Sequence, residues 1–156
     1  MRHGLFALLL FSVACAAQPE VERLLAAAAP PAGVVFEIVD EDEDALAWAL
    51  PMVAGLSQRL RARFPELPIA VVTHGREQFG LLTREAEGSL AGLHDQARAL
   101  RTAEIDLHVC GTHAGWLGYV PEDFPDYVDV SASGPAQIRD YRSLGYELIR
   151  VRRADD

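Results

Sequence analysis

The sequence predicts an α/β protein of flavodoxin-like, three-layer type, built around a mostly parallel five-stranded sheet. Three observations lead there. Five short apolar segments recur along the chain, most of them β-branched and nearly continuous in hydrophobicity, as strands covered on both faces are. Segments of helical period separate them, and a helix between two strands implies a right-handed crossover and parallel pairing. The chain of 156 residues, half of them hydrophobic, suits one domain with one packed core.

The chain opens with Arg2 and His3, an apolar run, and the small residues Ala14, Cys15, Ala16 and Ala17. That layout predicts a signal peptide over residues 1–16, with a bacterial lipoprotein signal ending before Cys15, and a lipid anchor on that residue, as the alternative. The run is too short to span a bilayer, and no other stretch approaches the required length. The expected location is the periplasm or another exported compartment. Residues 17–32, rich in Ala and Pro, are expected to form a flexible N-terminal segment, and residues 33–153 the folded domain. Fourteen basic residues, all Arg, face 23 acidic ones, and the formal charge of -9 argues against binding to nucleic acid.

Strands are predicted over residues 34–39, 69–73, 105–110, 127–130 and 146–151. Between the first two, Leu46, Leu50, Val53, Leu56, Leu60 and Phe64 recur at helical spacing, with Pro51 starting or kinking the helix. A second helical region covers 78–101, broken near Gly88, and a third covers 136–144 and ends at Gly145. In such folds ligands gather beyond the carboxyl ends of the strands, where the strand order reverses. Three loops are expected there: 40–44, 74–78 and 111–126. The first, Asp40-Glu41-Asp42-Glu43-Asp44, reads as acid at a helix start, with Asp44 able to cap it. It lacks the spaced ligands and central Gly of a calcium loop, and no metal is assigned to it.

His108-Val109-Cys110-Gly111-Thr112-His113 is the main chemical signal. Alternation puts Asp106, His108 and Cys110 on one face of the third strand and Ile105, Leu107 and Val109 on the other. After cleavage Cys110 is the one thiol left in the domain, which points to reactivity, metal ligation, intermolecular pairing or burial. A tight turn at Gly111, an imidazolium or Arg76 would stabilise its thiolate. His74-Gly75-Arg76 leaves the second strand at a comparable position, so adjacent exits would bring His74, Cys110 and His113 together. Such a set admits thiolate sulfur transfer or a Cys-His copper or zinc site, although dense metal spacing is missing and no metal or other cofactor is assigned. His108 reads as a hydrogen-bonded core residue, and His94 as a helix-face residue without a role. The long loop 111–126, with Trp116, Tyr119 and Phe124, is expected to cover the thiol or to meet another subunit.

Cys110 at the end of the third strand, followed by Val128 to Val130, Ser133-Gly134-Pro135-Ala136-Gln137-Ile138 and Leu144-Gly145-Tyr146-Glu147-Leu148-Ile149, resembles the DsrE/DsrF-like sulfur-relay superfamily, most closely its exported, poorly characterised branch. The resemblance runs from about Gly33 to Val151. It implies that Cys110 accepts sulfane sulfur as a persulfide and relays it from a donor to an acceptor protein or small thiol. It also implies a homotrimer or homohexamer. On this reading the chain is a sulfur carrier or sulfurtransferase-like protein, with His74 and His113 orienting or protonating sulfur species and Gly75, Arg76, Gly111, Thr112 and Trp116 binding the anion. A Cys/His metal module and a non-catalytic oligomeric subunit are the alternatives. The export signal and the polar segment His74-Gly75-Arg76-Glu77-Gln78-Phe79 depart from the better-known cytoplasmic relatives.

Overall fold

The computed structural model describes residues 18–153; the expected signal peptide, its cleavage positions and Cys15 lie outside the described residues. The elements run α1 (Pro19–Leu25), β1 (Gly33–Ile38), α2 (Leu46–Arg63), β2 (Ile69–Thr73), three 3-10 turns between 76 and 90, α3 (Ala91–Thr102), β3 (Ile105–Cys110), α4 (Gly111–Trp116), a 3-10 turn at Pro121–Asp123, β4 (Asp129–Ser131), α5 (Gly134–Ser143) and β5 (Tyr146–Arg150). The five strands form one sheet in the order β4-β3-β2-β1-β5, and every pairing is parallel. The architecture is therefore α/β, consistent with a flavodoxin-like three-layer fold.

Strand order steps outward from β1 through β4, and α5 then returns the chain across the sheet to set β5 on the far side of β1. The reversal lies between β1 and β5. On one face Val34, Phe36, Ile38, Val71, Leu107 and Val109 join Leu46, Leu50, Leu56, Leu60, Leu93 and Leu100 of α2 and α3 in the larger core. On the other face Val35, Ala70 and Val72 pack against Ile138 and Tyr141 of α5. The alternation expected of β3 is observed: Ile105, Leu107 and Val109 are buried in the larger core, while Asp106 is exposed.

Four local expectations are corrected. The segment expected to be a flexible arm carries α1, whose Val21 and Leu24 are buried, because two apolar side chains three apart make one helical face that seals α2. Pro51 starts no helix and stands inside α2, which begins five residues earlier. The region 78–101 is helical in α3 alone and is preceded by short 3-10 turns. The expected loop 111–126 opens with α4, directly continuous with β3. The end of α5 is as expected: Gly145 takes φ +87°, a conformation open to glycine at no steric cost.

Candidate functional site

Cys110 ends β3 and is 5% exposed. Its backbone N–H donates to Gln78 Oε1 at 2.7 Å, and its Sγ accepts the backbone N–H of His113 at 3.4 Å, so the sulfur caps the first turn of α4. Gln78 is fully buried and its Nε2 has no partner, which leaves an unpaired amide donor on the same small group that grips the Cys110 backbone.

His74 follows β2. Its Nε2 meets Glu37 Oε1 at 3.1 Å, and the other oxygen of Glu37 accepts Arg150 Nε at 2.8 Å. The hydrogen bond from His74, helped by Arg150, holds the Glu37 carboxyl below its ordinary range although burial opposes this. His113 joins the two exits. Its backbone donates to the Cys110 sulfur, and its Nδ1 lies 3.0 Å from the carbonyl of His74, which can only accept, so the Nδ1 carries the proton. The expectation that the strand exits bring His74, Cys110 and His113 together therefore takes a specific form: the contacts run through main-chain groups, not from imidazole to thiol. Phe79 packs edge-on to His113 with ring centres 5.1 Å apart, and Trp116, 77% exposed, lies 5.6 Å from the same imidazole.

Several residues expected to bind an anion are already engaged. Both donors of Thr112, its N–H and its hydroxyl, go to Ala132 O at 3.0 and 2.7 Å, fastening α4 to the segment after β4. Gly75 gives its N–H to Glu77 Oε1 at 3.0 Å, and a Cβ there would fall within 2.7 Å of the Asp40 backbone; its smallness serves packing. Arg76 reaches out to Glu43, and its N–H bonds Asp40 O. Gly111 lies against Ser131 and Val130, beside a cleft of about 320 Å³ that passes Gly111, Tyr119, Pro121 and Ser131. Among the described residues no group of three or more His, Cys, Asp or Glu side chains is placed to hold a metal ion, and Cys110, His74 and His113 are not gathered as a ligand set.

The acidic run folds on itself. Asp40 Oδ1 accepts the N–H of Asp42 at 2.8 Å and Asp42 Oδ1 that of Asp44 at 3.0 Å, so Asp44 does not cap α2; Ala45 stands at that position. The two remaining histidines among the described residues, His94 and His108, are neutral structural groups. His94 is fully buried and gives Nε2–H to Gly80 O while accepting the hydroxyl of Tyr127 on Nδ1. His108 sits in a directed chain. Ser131 Oγ donates to Gln137, so His108 Nδ1–H must donate to Ser131 Oγ, and Nε2 accepts from the Tyr141 hydroxyl at 2.8 Å. Burial lowers both imidazoles below their usual value and pushes the Tyr141 phenol up to about 12, which keeps the chain uncharged.

Glu77 and Gln78 are not legible in the sequence as site residues, and Glu37 is not among the residues expected there. Glu77 is a fully buried carboxylate that accepts from the Thr73 hydroxyl, the Gly75 N–H and the Asp40 N–H, clamping the exit of β1 to that of β2. Nothing in a polar exit loop distinguishes such a residue. Glu37 did leave a signal, since an acid inside the apolar run Val34-Val35-Phe36-Glu37-Ile38 needs a partner on its own face of the sheet.

No family model matches the chain, and no curated protein matches it. Among solved structures it is similar to the protein of unknown function MTH1491 from Methanobacterium thermoautotrophicum, with a TM-score of 0.60 at 22% identity over 76% of this chain and 97% of that one. That likeness supports the α/β fold. No helix among the described residues is long and apolar enough to cross a membrane.

Proposed function

We propose that the chain is an exported sulfur carrier that takes up sulfane sulfur on Cys110 and passes it on. The observation that carries this reading is the setting of Cys110. Its sulfur lies at the carboxyl end of a central strand and accepts a main-chain N–H, and its backbone is fixed by a buried amide with a donor to spare. The Cys110 thiolate attacks the outer sulfur of a persulfide or polysulfide, forming a new S–S bond while the old one breaks and its electron pair leaves on the donor's thiolate. An acceptor thiolate repeats the step on the Cys110 persulfide and regenerates the Cys110 thiolate. Neither transfer changes the oxidation level of the moved sulfur, so no oxidant is needed. The exposed Trp116 beside His113 suits a partner protein or a second copy of the chain as donor or acceptor.

The resemblance to the DsrE/DsrF-like superfamily supports the same reading, with a trimeric or hexameric assembly, and the sequence pattern of the first 16 residues supports export. Incubation with polysulfide followed by intact-mass measurement tests the carrier. A reducible one-sulfur adduct on the wild-type chain, lost in Cys110→Ser, is the expected outcome; no adduct, or one that survives the substitution, overturns it. The 5% exposure of Cys110 favours one competing reading, a subunit with an inert buried thiol. That reading predicts alkylation only after unfolding, whereas the carrier reacts while folded.

A further inference from the structure

The carrier cycle leaves one proton unassigned. A free thiol titrates near about pH 8.5, so an acceptor thiol arrives at neutral pH with its proton on and must lose it before it attacks the Cys110 persulfide. Two imidazoles lie at this end of the sheet, and they are oriented differently. The ring of His74 turns to Glu37 on β1 at 3.1 Å. Because β2 stands between β1 and β3, that ring turns away from the strand that ends in Cys110. Its Cδ2 edge is also roofed by the start of α5, where a Cβ on Gly134 would lie 3.3 Å away.

His113 is placed the other way. It is the third residue of α4, whose cap is Cys110, and a side chain at that position leans back over the cap. Its Nδ1–H is spent on the His74 carbonyl at 3.0 Å, so the neutral ring presents its lone pair on Nε2. Phe79 at 5.1 Å and Trp116 at 5.6 Å hold the ring between them. Nε2 has no partner among the described residues and is not sealed from solvent. We infer that His113 Nε2 is the base that takes the proton of an incoming acceptor thiol, an inference that rests on the carrier reading of Cys110. The freed thiolate attacks the outer sulfur of the Cys110 persulfide and forms a new S–S bond. The bond to Cys110 breaks with its electron pair on Sγ, and the imidazolium gives its proton to water.

Discharge of the sulfur-loaded full chain to two small thiols tests this: 2-mercaptoethanol, mostly protonated at neutral pH, and the more acidic trifluoroethanethiol. His113→Gln keeps a polar side chain and supplies no base. Its discharge to 2-mercaptoethanol should fall about a hundredfold, and its discharge to trifluoroethanethiol much less. A purely structural loss at position 113 would slow both alike. Two measurements need no variant. The loaded wild-type chain should discriminate between the two thiols less than glutathione persulfide does in solution, and the imidazole nitrogen shifts of the neutral His113 ring should place its proton on Nδ1. Equal slowing of both thiols in His113→Gln overturns the inference and leaves the carrier standing. So does a neutral ring protonated on Nε2, a wild-type chain as selective as glutathione persulfide, or a selective loss found in His74→Gln instead. A wild-type chain that takes up no sulfur overturns the carrier and this inference with it.

Discussion

The two faces of the sheet are held by different physics. Toward α1, α2 and α3 the strands present Val34, Phe36, Ile38, Val71, Leu107 and Val109, and the layer closes by removing apolar surface from water. Toward α5 a short apolar centre of Val35, Ala70, Val72 and Ile138 gives way at its margins to Glu37, His74, His108 and Tyr141, each placed by directed hydrogen bonds. The first face accepts apolar side chains that keep its volume. The second works only if each group keeps the right proton, and Cys110 ends the row Asp106, His108, Cys110 that belongs to it.

The largest effect should come from the apolar face. Phe36 is fully buried, and Phe36→Ala should cost about 3–5 kcal/mol in a urea titration, since it loses both transfer energy and packing around the cavity left behind. On the other face Tyr141→Phe deletes one oxygen but leaves His108 Nε2 half-buried and unpaired, and about 1–3 kcal/mol should go. The double variant Tyr141→Phe/His108→Leu should recover part of that loss, because both polar partners are then gone. If Tyr141→Phe alone matched Phe36→Ala, the distinction between the faces would fail.

The same contrast decides what was legible in the sequence. The apolar face writes itself into period-2 and period-3.6 patterns, so all five strands and the main helix were visible from residues such as Val34, Leu46 and Leu107. The helix α4 was not, because Gly111-Thr112-His113-Ala114-Gly115-Trp116 has two glycines, a weak helical signature, and is nucleated by Cys110 Sγ and the Thr112 to Ala132 bonds. At the site, Cys110, His74 and His113 could be picked out by residue type and by their places at strand exits. Their partners could not. Which carbonyl His113 would meet, or that Gln78 would turn inward to hold Cys110, depends on tertiary approach between loops more than 30 residues apart.

A pH titration sharpens the comparison, because each face carries a neutral imidazole removed from water, His94 fully buried on the apolar side and His108 half-buried on the other. Burial lowers both from the usual value near 6.5, so the unfolded chain binds protons that the folded chain refuses. Their contribution is complete above about pH 6.5 and is lost as pH falls from there toward the folded values. The melting temperature should therefore begin to drop as pH falls below about 6.5. The double variant His108→Leu/Tyr141→Phe should flatten part of that drop, and the remainder should belong to His94.

The smallest effects concern Glu37, whose folded carboxyl is depressed first by His74 and then by Arg150. A depressed carboxyl contributes stability above its ordinary value, near 4.5, and loses that contribution as pH falls through its folded value. Glu37→Gln should therefore remove a separate, more acidic limb of the melting curve and leave the histidine step near pH 6.5 in place. Arg150 is mostly exposed, so Arg150→Ala should cost only about 0–1 kcal/mol at neutral pH, less at high salt. The two substitutions differ because His74 is the larger cause and is held at both ends, by Glu37 through its ring and by Ile38 O through its backbone. An Arg150→Ala chain that lost as much as Glu37→Gln would move the anchor of this face from the strand exits to the sheet edge.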